Sequence, residues 1–433
     1  MPHSSPLDPF FRLLFMKSPL SPFRKEVLPN GLTVIAKQVT ATPIAAVYLW
    51  VRAGSVCESP EINGISHFFE HMFFKGTEKR GVGEMDRAIK ELGGYNNAFT
   101  GFEYTAYYAV VPAESFTTAF EILYDAVTCS KFDPEEIERE RQVIKEEIRR
   151  HEDNPRSKLF TEFLGTMFQD LPYGRPILGT EASLDRIGRE DFLAYLNDFY
   201  APDTTIAVVV GDVEEDRILS TVAEMAGGWK RPAERRRSWP DISYAMSSGV
   251  RTQTVEKAVN VGYWALGFPT LGRSRMEDLH ILDVATTILG SGRSCRLHRR
   301  LVEEMKIASS IGAWVWPFER AGILGVDAEF LPVRCEEVEA ATLAEVERMG
   351  REPVRPEEVD KAKRMLLSGF AYANETDSHI ANTLGRYQTI STLDEALRYG
   401  ERIRAVTVGD VQRVMAEYGR REACTVAYIK PKE

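Results

Sequence analysis

The sequence predicts an α+β protein made of two similar domains, each an α/β sandwich, produced by an internal duplication. Three observations carry this. The chain has 433 residues, more than one hydrophobic core ordinarily serves. Short apolar, β-branched runs alternate with longer stretches of helical spacing. Similar landmarks also recur about 220 residues apart.

In the first half, residues 31–39 and 45–53 alternate in polarity and read as paired strands, and the aromatic run 104–111 reads as another. Helical spacing covers 62–74, 85–92, 115–130, 134–152 and 157–167. Arg189-Glu190-Asp191 opens a further helix, and the apolar strand 205–210 follows it. The second half repeats these features. Val408-Gly409-Asp410-Val411 opens a helix before the strand 424–429, and Pro356-Glu357-Glu358-Val359 echoes Pro134-Glu135-Glu136-Ile137. Proline pre-sets φ for a first helical turn, and the acids after it suit the positive end of the helix. Residues 229–250 read as a linker, with Lys230-Arg231-Pro232, Arg235-Arg236-Arg237, Pro240 and Ser247-Ser248-Gly249. The expected domains are therefore 23–228 and 251–433. Residues 1–22 read as a disordered extension, because the apolar run 10–16 is short and broken by Arg12.

Composition narrows the class. With 54 Lys and Arg against 64 Asp and Glu, the net charge is −10, and no basic excess is left to neutralise phosphates, which excludes nucleic acid as a main partner. The five cysteines stand singly, without CxxC spacing, which fits neither a disulfide framework nor a thiolate metal site. No run approaches a membrane span. A soluble cytoplasmic protein is expected, with the periplasm left open.

The chemistry concentrates in Ser66-His67-Phe68-Phe69-Glu70-His71-Met72. Helical positions i, i+3 and i+4 share a face, so His67, Glu70 and His71 project together. Two neutral imidazoles at i and i+4 clamp a zinc ion, and a carboxylate between them can act as a base. This HxxEH order is that of inverzincins. With seven histidines in the chain, composition alone produces such a pattern in about one comparable chain in a hundred. A third ligand is needed. The helix 134–152 offers Glu140 and Glu147, seven residues apart and on one face, among Glu135, Glu136, Glu138, Glu146 and Glu152. Spacing alone does not choose between them.

Three segments together resemble the pitrilysin and mitochondrial processing peptidase family. They are His67–His71 with Met72-Phe73-Phe74-Lys75-Gly76-Thr77; Gly93-Gly94-Tyr95-Asn96-Asn97-Ala98-Phe99-Thr100 with Glu103 and Thr105-Ala106-Tyr107-Tyr108; and residues 138–148. The resemblance runs from Pro29-Asn30-Gly31-Leu32 to the last strand, and it implies the LuxS/processing-peptidase-like metallohydrolase fold. It further implies one Zn2+ per chain on His67, His71 and Glu147, with Glu70 as catalytic base and Glu140 completing the catalytic set by orienting a ligand. The residues Asn97, Ala98, Phe99 and Thr100 would form an edge strand that pairs with a substrate peptide. The implied activity is that of a zinc metalloendopeptidase, which hydrolyses unfolded peptides through a metal-bound water. The alternative is a non-catalytic core or assembly subunit derived from the same fold.

The second half departs from the family pattern. Positions matching Glu140 and Glu147 fall near Ala362 and Gly369, and the stretch opposite the histidine helix, 283–291, has no histidine. The family's second half supplies an Arg and a Tyr for the oxyanion after a Ser-Arg-Leu stretch. Here that stretch is Ser294-Cys295-Arg296-Leu297, and the two positions fall on Val302 and Ser309. Arg299 or Arg300 could stand in for the arginine. A heterodimer with a paralogous subunit carrying the Arg/Tyr pair is expected, with a homodimer left open.

Overall fold

The computed structural model describes residues 18–432 except 170, 236, 237, 245, 247 and 248. Most of the expected extension thus lies outside the described residues, as do Arg236 and Arg237. Within it, Leu20 is fully buried and the Pro22 carbonyl accepts a hydrogen bond from Lys37 Nζ at 2.8 Å.

The first half forms a six-stranded sheet from β1 (Arg24–Val27), β2 (Thr33–Gln38), β3 (Ile44–Val51), β4 (Tyr95–Thr100), β5 (Thr105–Pro112) and β6 (Thr205–Gly211), in the order β1-β2-β6-β3-β5-β4. The second half adds β7 (Arg251–Lys257), β8 (Gly262–Thr270), β9 (Ser310–Pro317), β10 (Gly322–Phe330) and β11 (Thr425–Pro431), in the order β7-β11-β8-β10-β9. Without β1 the two orders are the same. In each sheet the last strand inserts parallel to the first and antiparallel to the second. The duplication expected from recurring landmarks is therefore a duplication of topology.

The expectation that 31–39 and 45–53 pair with each other fails, because β6 lies between β2 and β3. The run Thr205–Gly211 is buried at every residue, so it takes a central place where both faces are covered. Alternation in β2 and β3 could not reveal a partner more than 150 residues away. At the other end, β4 pairs only with β5 and leaves one edge open.

The halves exchange helices. Pro155–Met167, from the first half, lies on the second sheet, where Phe163 joins Ala265, Ala427 and Ile429 in one core. Asp377–Ile390, from the second half, lies on the first sheet, where Ile380, Ala381 and Leu384 pack with Ile35, Tyr48, Trp50 and Val208. Both contacts are too close for a side chain at the crossing point. A Cβ on Gly267 would sit 2.3 Å from Phe163 Cζ, and one on Gly385 would sit 2.0 Å from Trp50 Nε1. Among the described residues, no helix is long and apolar enough to cross a membrane.

Candidate metal centre

The helix Ile65–Phe73 carries the HxxEH residues. Its first backbone N–H groups have no capping side chain of their own helix. Instead the buried Glu58 carboxylate accepts the N–H of Gly64 at 2.7 Å and of Ser66 at 2.9 Å, and the Asn63 amide at 2.8 Å. A carboxylate at this end satisfies orphan donors and suits the helix dipole. Ser66 lies inside the helix and its hydroxyl hydrogen-bonds the Tyr195 hydroxyl at 2.7 Å. Phe69 stacks on Tyr200 at 4.2 Å and Phe73 on Tyr107 at 4.0 Å. With this aromatic face fixed in the core, His67, Glu70 and His71 stand on the remaining face.

The helix Pro134–Asp153 supplies the acids. Asp133 caps it through the Glu135 N–H, and Pro134 occupies its first turn as expected. Buried Ile137, Arg141 and Ile144 fix its rotation, with Arg141 donating to the carbonyls of Leu184 and Ile187. Of its many acids, only Glu140 and Glu147 reach the histidines. Glu147 Oε2 lies 3.8 Å from His67 Nε2 and 3.6 Å from His71 Nε2. Glu140 Oε2 lies 3.0 Å from His71 Nδ1, and its Oε1 lies 2.7 Å from Lys75 Nζ. The others are turned to solvent or to basic neighbours: Glu136 pairs with Arg139, Glu138 with Arg141 and Glu146 with Arg149.

His67, His71 and Glu147 each offer a ligand atom, all within 4.8 Å of one another. Zinc takes nitrogen and carboxylate oxygen at about 2.0–2.2 Å in a tetrahedron, so donors should stand about 3.4 Å apart. The observed 3.6–3.8 Å separations from Glu147 fit zinc. His71 also has the support a ligand histidine ordinarily has, a carboxylate on its other ring nitrogen.

The electrostatics agree. Burial, reinforced by neighbouring His71, pushes His67 down to about 4. Burial also opposes charge on His71, but its hydrogen bond to Glu140 and the nearby Glu147 carboxylate outweigh it and hold this imidazole up to about 9. The approach of His71 keeps Glu147 below its ordinary range. Burial acts against the Glu140 charge, yet its bonds to His71 and Lys75 hold it low as well. Without a cation, two carboxylates thus converge on a single imidazolium. A divalent ion on the same donors would take over that positive charge, since ligand histidines are neutral.

Glu70 is held apart from these three residues. Thr100 Oγ1 donates to its Oε2 at 2.6 Å, and burial raises its carboxyl above the ordinary range against the lowering effect of that bond. A raised carboxyl suits a base working near neutrality. The four candidate substrate residues lie on the open-edged β4 but face different ways. Ala98 is buried, Asn97 Oδ1 accepts the Ala98 N–H, and Phe99 packs edge-on to Trp50 on the far face of the sheet. What they present together is main chain. A 580 Å³ cleft begins one residue beyond Glu147, lined by Ile148, His151, Phe160, Leu164, Ile177 and Trp316.

Residues 33–181 match the family model for insulinase-type peptidases, family M16, and residues 186–366 match that of the M16 inactive domain. A Mycobacterium tuberculosis protein named as an uncharacterized zinc protease is 31% identical over 96% of this chain and 93% of its own length. The chain belongs to the M16 peptidase family. Other relatives named as uncharacterized zinc proteases include one from Rickettsia felis, 31% identical over 84% of this chain and 87% of its own, and one from Bacillus subtilis, 30% identical over 85% and 89%. Among solved structures, a protease from Helicobacter pylori superposes with a TM-score of 0.89 at 25% identity, covering 95% of this chain and 99% of that one. An M16 inactive domain from Pseudomonas fluorescens shares the fold, with a TM-score of 0.84 at 16% identity over 95% and 98%.

Sequence reasoning missed Thr100 as the partner of Glu70, Lys75 as the partner of Glu140, and Glu58 as the helix cap. Thr100 and Lys75 act across long sequence separation, and Glu58 caps the helix from outside it through three hydrogen bonds, which no helical spacing rule detects. In the second half, the helix opposite the histidines begins earlier than the repeat offset predicts, at Met276, and so contains His280. That imidazole is buried, lies 3.9 Å from Glu395, and is pushed below its ordinary range by burial. Among the described residues, His67, His71 and Glu147 form the one three-residue group with metal-binding spacing.

Proposed function

We propose that this M16 chain is a zinc metalloendopeptidase that cleaves unfolded peptides laid along β4. The observation that carries the reading is the division of labour around one face of Ile65–Phe73: His67, His71 and Glu147 converge, while Glu70 stands beside them on Thr100. Zinc held by these three residues supplies Lewis acidity toward water and the scissile carbonyl. Glu70 takes the proton from the attacking water and returns it to the leaving amine. Glu140 fixes the ring of His71, and Lys75 fixes Glu140. The open edge of β4 offers backbone hydrogen bonds to an extended peptide, and the 580 Å³ cleft offers room for a side chain.

The oxyanion donors are the missing part. Val302 lies in the π-helical segment His298–Glu304, and Ser309 is tied through its N–H and hydroxyl to the Glu329 carbonyl. Arg299 and Arg300 both turn to Glu304. An oxyanion donor is ordinarily worth about 2.7–4 kcal/mol, so a paralogous subunit that brings an Arg/Tyr pair completes the enzyme. A second copy of this chain would bring the same Val302 and Ser309.

The test is metal content and peptide hydrolysis, measured on the chain alone and with its paralogue. The expected result is about one zinc per chain and strong activity only in the mixture, with Glu70→Gln keeping zinc and losing about 10²–10⁴-fold in rate. Purified protein without metal favours the non-catalytic subunit. Full activity of the isolated chain removes the heterodimer.

A further inference from the structure

We infer that Glu103 is a positioning residue through which the metal-free half holds the catalytic face of the other half in register. The inference rests on the reading of Glu70 as the base. β4 ends at Thr100, whose hydroxyl holds Glu70, and the chain then turns through Gly101–Tyr104 into β5, closed by the Gly101 N–H to the Tyr104 carbonyl at 2.8 Å. Glu103 stands at the tip of this hairpin, three residues from Thr100.

Its carboxylate is buried, with 4% of the side chain exposed, and it accepts three hydrogen bonds. Oε1 takes the Tyr173 hydroxyl at 2.7 Å and the Glu319 N–H at 2.6 Å, while Oε2 takes Arg273 Nη2. Arg273 and Glu319 belong to the second half. Arg273 is itself fastened there, its Nη1 on the Pro317 carbonyl at 3.0 Å and its N–H on the Phe318 carbonyl at 2.8 Å. Phe102 adds an apolar plug, meeting Phe318 edge-on at 5.3 Å and Trp316 at 5.8 Å. The tip of the substrate hairpin is thus seated in the turn between β9 and β10.

The pairing is specific in charge. Arg273 is 8% exposed and Glu103 is its ion-pair partner, so a neutral residue at 103 leaves a buried cation uncompensated. The first half also holds the hairpin, through Ser55 N–H on the Gly101 carbonyl at 3.3 Å and Val56 N–H on the Phe102 carbonyl at 2.9 Å. Cutting the latch therefore loosens the tip without dissolving the strand. Looseness at the tip passes along three residues to Thr100 and appears as a misplaced Glu70, and a misplacement near 1 Å can cost about 100-fold in rate.

The test uses the full chain with whatever subunit gives it activity. Glu103→Gln and the milder Tyr173→Phe are compared with wild type for zinc content, for amide hydrogen exchange over residues 95–105, and for kcat and KM. Expected are unchanged zinc, faster exchange across the hairpin, and a kcat lowered about 10-fold or more by Glu103→Gln and less by Tyr173→Phe, with KM changed far less. Thr100→Val should lower kcat too, and combining it with Glu103→Gln should add little. Additive losses, or wild-type exchange in folded Glu103→Gln and Tyr173→Phe proteins, would overturn the inference. Should Glu103→Gln fail to fold, Tyr173→Phe decides by the same measures. An inactive wild type defeats the reading of Glu70, whereas the exchange data still report on the latch.

Discussion

The two halves set the same pair of helices side by side and use them in opposite ways. In the first, Ile65–Phe73 faces Pro134–Asp153 with imidazoles and carboxylates turned toward each other. In the second, Met276–Gly290 faces Pro356–Tyr372, and polar residues of the second helix are engaged by the segment that follows the first. Arg296 grips Glu358 through both oxygens at 2.8 and 2.9 Å, and Lys361 donates to Ser294. Ala362 is buried where Glu140 would stand, and at the place of Glu147 a Cβ on Gly369 would meet nothing within 4 Å. The first half thus turns Glu140 and Glu147 toward imidazoles and Lys75, whereas the second half has no acid at either place, and its Glu358, the match of Glu136, is held by Arg296. A metal site needs the first arrangement, because the third donor must come from the second helix of the pair, and Ala362 and Gly369 offer none.

Variants sharpen that contrast in decreasing order of effect. Glu147→Gln removes the anionic ligand and should abolish stoichiometric zinc at neutral pH, read by metal analysis after dialysis. Retained zinc would mean that Glu147 is not a ligand. Glu140→Gln and Lys75→Met leave the three ligands in place and disturb only the support of His71, so each should weaken zinc affinity or turnover by about 10–100-fold, read by competition with a chelator. Glu358→Gln should leave zinc untouched and lower stability by about 1 kcal/mol, a contribution limited by solvent screening. Its pH dependence has a definite sign. Burial opposes the Glu358 charge, but Arg296 and the Arg355 N–H outweigh it and hold the carboxyl down to about 2. A depressed carboxyl stabilises the fold above its unfolded value near 4.5, and that stability fades as pH falls toward 2. The gap between wild type and Glu358→Gln in thermal melts should close over that range.

The legible part of the site was local. His67, Glu70 and His71 follow from helical spacing alone, and Pro134 with its acids marked the ligand helix. Glu147 could not be separated from Glu140 by spacing, because the choice depends on how two helices distant in sequence lie against each other. The resemblance to a known family separated them, and in the structure Glu147 lies near the Nε2 atoms of both histidines while Glu140 lies on His71 Nδ1. The duplicated architecture was legible from recurring helix starts. The place of β6 was not, since its partners are set by burial on both faces. Thr100 was singled out for its main chain, whereas its hydroxyl on Glu70 emerges only in three dimensions.

The exchanged helices bear on how the chain can fold as it is made. The first sheet is complete once β6 has left the ribosome, but the helix that covers Tyr48 and Trp50, Asp377–Ile390, emerges more than 150 residues later. At about 5–20 residues per second, that apolar face waits on the order of ten seconds for its cover. The half that carries the candidate metal centre therefore cannot mature by itself during synthesis, and its last layer arrives only with the other half.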